Sequence, residues 1–157
     1  MSVQENREAV TKDVIIIGAG ASGLFCAAAC GRRGRSVLVL DHAERACAKV
    51  LVSGGGRCNF TNLNAAPEHY RSSNPDFCRS ALARFTPRDM LDIMQKHRIP
   101  WYEKEAGQLF CRTSARDIAA MLMRACDAAG AEVRLGCAVT SVERGERFFV
   151  RTDRGAF

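Results

Sequence analysis

The sequence predicts an α/β fold: a mostly parallel sheet with a helical insertion and an appended β-meander. Three observations carry this. Residues 13–41 read as strand, glycine turn, alanine-rich helix, strand and acid. Residues 74–99 hold helix-start signals followed by a helical apolar stripe. Residues 131–157 alternate short apolar runs with Arg-Gly turns.

The first stretch has a physical job for each residue type. Four apolar residues, Val14 to Ile17, run into Gly18-Ala-Gly20-Ala-Ser-Gly23. Gly18 lets the chain leave the strand in a tight turn. Gly20 has no Cβ, so a pyrophosphate can approach the backbone at a helix N-terminus, where open N–H groups and the helix dipole favour an anion. Gly23 lets the helix pack closely on the sheet, and Ala27, Ala28 and Ala29 keep that surface small. A second apolar run, Val37 to Leu40, ends on Asp41, placed to accept from a ribose hydroxyl; an acid there favours an unphosphorylated ribose. Strand, turn, helix, strand and acid together form a dinucleotide-binding βαβ pattern.

Length and composition bound the rest. At 157 residues, 47% hydrophobic and 25% charged, the chain reads as one globular domain. No apolar run reaches the roughly 20 residues that cross a bilayer, so no membrane partner is expected. Residues 1–12 read as a polar leader, neither signal nor transit peptide. The net charge of +6 suits phosphate-bearing ligands. With no basic stripe interleaved with aromatics, no nucleic-acid partner is expected. The eight cysteines show no Cys-x-x-Cys spacing, which predicts unbridged thiols in a reducing cytoplasm and no metal site.

Residues 42–65 are the second informative stretch. Gly54, Gly55 and Gly56 cannot form a helix or strand interior, and Ser53, Arg57, Asn59, Thr61 and Asn62 surround them with polar groups. Such a loop suits close backbone approach to a phosphate or a flat ring. His42, directly after the acid, is a candidate for the adenosine end, and equally an exposed loop residue.

GAGASGL at residues 18–24 with KVLVSGGGRCNFTN at 49–62 resembles the bacterial NAD(P)/FAD-dependent oxidoreductases, the aminoacetone-oxidase-like flavoproteins with two dinucleotide-binding motifs. The resemblance implies a Rossmann-like FAD-binding core. It places Gly18, Gly20, Ala21, Ser22, Gly23, Asp41 and His42 toward the ADP portion. It places Lys49, Ser53, Gly54, Gly55, Gly56, Arg57, Cys58, Asn59 and Thr61 along FAD, and the backbone of Val139 against the adenine. One departure stands out: Cys47-Ala48 occupies the place of a Gly-Arg found in many relatives, with Arg45 as a candidate replacement.

The remaining elements follow in order. Asn74-Pro75 and Thr86-Pro87-Arg-Asp89 are each expected to start a helix, the second with a capping box. Met90, Ile93 and Met94 form the second helix's apolar stripe, His97 lies at its C-terminal end, and Ile99-Pro100 closes it. Residues 101–110 read as a hairpin that ends the insertion. Ser114 is expected to cap a helix burying Ile118, Leu122 and Ala125, with Gly130 past its end. Residues 131–142 are expected as a third strand of the nucleotide-binding sheet, broken near Gly136, and residues 148–157 as the meander.

By the same resemblance, residues 13–157 are the N-terminal, truncated part of such a domain, with a substrate domain and a flavin-completing segment expected beyond Phe157. The implied activity is flavin-dependent hydride transfer to or from a small organic substrate, with FAD as cofactor and NAD(P)H as candidate electron donor. No catalytic acid or base is evident, and Cys58 is read as a backbone positioner rather than a redox thiol. Two other readings stay open: a non-catalytic nucleotide-binding piece and an NAD-dependent dehydrogenase domain.

Overall fold

The computed structural model describes residues 10–157. Most of the expected 1–12 leader therefore lies outside the described residues. Lys12, its last residue, is fixed, with Nζ 2.9 Å from the Glu132 carboxylate. The chain divides into two compact units, one formed by residues up to Ala48 together with Leu122–Phe157, the other by Lys49–Met121.

The first unit is built on a three-stranded parallel sheet ordered β1 (Val14–Ile17), β2 (Val37–Leu40), β6 (Glu132–Arg134). All four residues of β2, the middle strand, are buried, as a continuous apolar run covered on both faces requires. Helix α1 (Ala21–Gly31) buries Leu24, Ala27 and Ala28. Helix α5 (Ala115–Ala128) brings Cys126 within 3.3 Å of the Leu24 carbonyl, which accepts from its thiol. Ser114 caps α5 as expected, its Oγ accepting from the Arg116 N–H at 3.1 Å, and Gly130 follows it at φ +66°. Ile118 and Leu122 are buried with Met121 and Cys126, whereas Ala125 is only partly covered.

The expected third strand over 131–142 is two strands in two sheets. β6 ends at Arg134, Gly136 turns the chain at φ +57°, and β7 (Val139–Arg144) leaves to pair with β8 (Phe148–Thr152). With β9 (Gly155–Ala156) they form the antiparallel meander. Leu38, Leu40, Cys137, Val150 and Phe157 form the core that joins meander to parallel sheet, with Ile15 and Val139 packed against it.

The second unit begins at Lys49, earlier than the expected insertion, and contains more than helices. Its antiparallel sheet is ordered β3 (Asn59–Asn62), β5 (Gln108–Cys111), β4 (Trp101–Glu103). The hairpin was expected; β3 was not. Short helices α2 (Ala48–Val52) and α3 (Arg79–Arg84) precede α4 (Pro87–Lys96). Thr86 and Asp89 form the full capping box at α4, and His97 is its C-cap. Asn74-Pro75 does not start a helix. The Asn74 side chain accepts from the Asp76 N–H at 3.1 Å in a local turn, and α3 begins only after Cys78.

Candidate nucleotide-binding site

In the first unit the glycine turn leaves β1 at Gly18, whose φ of +110° lies where L side chains rarely go. A Cβ on Gly23 would sit 1.9 Å from the Gly18 carbonyl oxygen, so glycine is what lets α1 pack onto the turn. Gly20 differs. It caps α1 in an extended conformation, and a Cβ there would meet nothing within 4 Å. No side chain caps α1 and no acid lies in its first turn. Among the described residues, no acceptor is bonded to the N–H groups of Gly20, Ala21, Ser22 and Gly23. Open donors at a positive helix end, beside an unfilled space, fit a pyrophosphate.

Asp41 does more than face outward. One carboxylate oxygen accepts from the Ala19 N–H at 2.6 Å and the other from the Ala43 N–H at 2.8 Å. The acid thus ties the glycine turn to the loop after β2, and each oxygen keeps a lone pair for a ribose hydroxyl. His42 is 85% exposed, with Nδ1 3.5 Å from the Asp41 carboxylate. A cleft of about 460 Å³ opens here at the carboxyl ends of β1 and β2, lined by Gly18, Asp41, His42 and Val139 among the sequence-derived candidates. Ile17, Leu40, Cys137 and Ala138 complete its wall and were missed: nothing local marks apolar residues as ligand-facing.

In the same unit, Cys47 holds φ +60°, the left-handed region glycine favours, and its N–H donates to the Ala19 carbonyl at 2.8 Å. A glycine, which the resemblance leads one to expect at this position, would take this conformation without strain. Arg45 is exposed.

The remaining candidates lie in the second unit. Ser53–Gly56 form one tight turn, with Gly54 and Gly55 left-handed and Gly56 at φ +82°. Ser53 closes it at both ends: its hydroxyl donates to the Val50 carbonyl at 2.8 Å and its carbonyl accepts from the Cys58 N–H at 3.0 Å. A Cβ on Gly54 would lie 2.6 Å from the Phe110 ring, so the turn is seated on β5. The Asn59 amide lies 2.9 and 3.1 Å from the Thr61 and Leu109 carbonyls, and the orientation that turns its nitrogen toward them lets it donate to both. Lys49 and Arg57 are exposed and Thr61 is partly covered in β3. Cys58 is buried, and burial pushes its thiol above the ordinary range. Phe110, the turn's support, is far from Gly54 in the sequence and meets it only through the pairing of β3 with β5, so no local signal named it.

The HI0933-like protein Rossmann domain matches residues 12–157. The chain belongs to that family. This HI0933-like domain is 52% identical over 137 residues to the ribosomal RNA dihydrouridine synthase of Escherichia coli K12, covering 87% of this chain and 34% of that protein. It is 36% identical over 80 residues to the 3-dehydro-bile acid delta(4,6)-reductase of Clostridium scindens, covering 50% of this chain and 20% of that one. The chain thus spans about a third of the length of that dihydrouridine synthase. Among solved structures, the amino acid oxidase NikD shares the HI0933-like fold at 18% identity and a TM-score of 0.53, over 92% of this chain and 48% of that one. The glycine oxidase of Geobacillus kaustophilus does so at 17% identity and 0.54, over 93% and 52%. No metal-binding cluster of three or more His, Cys, Asp or Glu occurs among the described residues of this HI0933-like domain. No described helix is long and apolar enough to cross a membrane.

Proposed function

We propose that this chain is the FAD-binding part of a flavin-dependent reductase that converts a uridine of ribosomal RNA to dihydrouridine. The observation that carries the reading is 52% identity to a ribosomal RNA dihydrouridine synthase across most of the chain. The open N–H donors at the start of α1 supply the cofactor site. Gly20 to Gly23 hold the pyrophosphate, Asp41 orients the ribose, and Val139 borders the adenine. The turn from Ser53 to Cys58, with Asn59 and Thr61, lies along the flavin.

Bound FAD supplies a hydride for a two-electron reduction. The names of both relatives describe hydrogen added across a carbon–carbon double bond. In uridine the 5,6 double bond is conjugated to a carbonyl, so carbon 6 accepts hydride and carbon 5 then takes a proton. This chain's contribution is to bind and orient; no residue here is assigned the proton transfer. NAD(P)H would be the source of the two electrons. Unbridged cysteines among the described residues support a reducing, cytoplasmic setting for this reaction.

The test uses the full-length protein loaded with FAD, a ribosomal RNA transcript, and NADH or NADPH. A flavin band near ~450 nm that bleaches with NAD(P)H and recovers as dihydrouridine appears in nuclease digests supports the reading. Bleaching without dihydrouridine overturns the substrate. A protein that takes up no flavin overturns the whole proposal. Oxygen uptake with a small aminoketone instead would restore the oxidase activity that the sequence resemblance implies.

A further inference from the structure

We infer that the β4–β5 face of the second unit is a docking shelf for single-stranded RNA, with Tyr102 as its stacking surface and Arg112 and Lys104 as phosphate contacts. The inference rests on the reading above for the identity of the polymer. The shelf itself rests on geometry.

Tyr102 and Phe110 are a directly paired couple on β4 and β5, their rings stacked at 27° with centroids 5.9 Å apart. Three cations fringe them. Arg57 and Arg112 lie 5.9 and 5.8 Å from the same Tyr102 ring centre, and Lys104 lies 5.9 Å from the Phe110 centre. They come from three strand ends: before β3, after β5 and after β4. Backbone pairing sets their places. The Cys111 N–H donates to the Arg57 carbonyl at 2.9 Å, keeping the two arginines at one end of the shelf. The Lys104 N–H donates to the Gln108 carbonyl at 3.0 Å at the other.

The nearby acids are engaged elsewhere. Glu103 accepts from the Gly107 N–H at 3.0 Å, and Asp117 accepts from the Thr113 hydroxyl. Among the described residues only Glu105 approaches a shelf cation, at 4.0 Å from Lys104. Among the described residues neither Arg57 nor Arg112 has a carboxylate partner. Arg57 Nη1 donates to the Tyr102 hydroxyl at 3.4 Å, and both guanidinium groups keep further N–H donors that a phosphate can take. Aromatic rings on a sheet face, bordered by arginines that can also stack on bases, are how single-stranded RNA is commonly held. The triple-glycine turn touches the same shelf, since Gly54 abuts Phe110. A strand lying here therefore has a base beside the cofactor turn. The sequence shows no basic stripe interleaved with aromatics because these residues meet only through strand pairing, and the expectation of no nucleic-acid partner is revised accordingly.

The test measures RNA affinity of the FAD-loaded full-length protein by fluorescence anisotropy, using a labelled uridine-containing RNA of about 12 nucleotides. Replacing both cations (Arg112→Ala with Lys104→Ala) is expected to weaken binding about tenfold. The plot of log affinity against log salt should become shallower by about 1.4, at about 0.7 per lost phosphate contact. Flavin content should stay as in the parent protein. If the double variant loses flavin, Arg112→Gln alone decides, with an expected change in slope of about 0.7. Parent-like affinity and slope in a flavin-loaded variant overturn the shelf and leave the reductase reading standing. A loss of NADPH affinity with RNA binding intact also overturns the shelf. A parent protein with no RNA affinity overturns both.

Discussion

Gly20 and Gly23 stand three residues apart in one turn and are glycine for different reasons. Gly23 has no room for a methyl group beside the Gly18 carbonyl, while Gly20 faces open space. Gly20→Ala should therefore keep the stability of the parent and weaken FAD binding about tenfold, roughly 1.4 kcal/mol. Gly23→Ala should lose about 1–3 kcal/mol of stability through overpacking, and its flavin with it. Urea unfolding and flavin absorbance of the two variants check both. Cys111 gives a second residue-scale expectation. It is fully buried, and burial, with the negative charges of Cys58 and Asp117 adding to it, pushes its thiol from 9.0 to about 12. A thiol raised on folding contributes stability that is intact below the unfolded value and lost as pH rises through the folded one. The urea midpoint should hold up to about pH 9 and fall between 9 and 12, less steeply in Cys111→Ala. A midpoint independent of pH above 9 would contradict this. The sequence shows cysteines; it does not show which are dry.

At the scale of elements, local signals translated well. Thr86 accepts from the Asp89 N–H at 3.3 Å, and the Asp89 carboxylate accepts from the Thr86 N–H at 2.7 Å, as the Thr-Pro-Arg-Asp pattern predicts. The Thr86 hydroxyl also donates to that carboxylate at 2.6 Å, and this bond first, the backbone one second, holds the Asp89 carboxyl below its usual range. Thr86→Ala should cost about 1 kcal/mol, read as a lower urea midpoint. An unchanged midpoint would mean that α4 is held by packing of Met94 alone. Elements that need a distant partner were illegible. β3, Asn-Phe-Thr-Asn, is short and polar, and it is a strand because Thr61 and Asn62 pair with Leu109 and Gln108. Asn74-Pro75 failed for another reason: an Asn-Pro pair opens a turn as readily as a helix. Residues 139–144 show strand periodicity, but periodicity cannot say which sheet a strand joins.

For the whole molecule, the candidate site was readable in its glycines and its acid, because those residues answer to backbone geometry. Its apolar walls, and the ring beneath the triple-glycine turn, depend on contacts between remote segments and were not readable. The same remoteness has a temporal side. β2 pairs with β1 almost as soon as both exist, but its other neighbour, β6, lies roughly ninety residues further along. At about 5–20 residues per second, a ribosome takes roughly 5–20 s to deliver it. For that interval β2, a strand buried along its whole length in the finished fold, has one side unpaired, while Lys49–Met121 emerges and can close on itself. Newly made chains are thus most exposed to capture by chaperones, or by one another, before residues 132–134 appear.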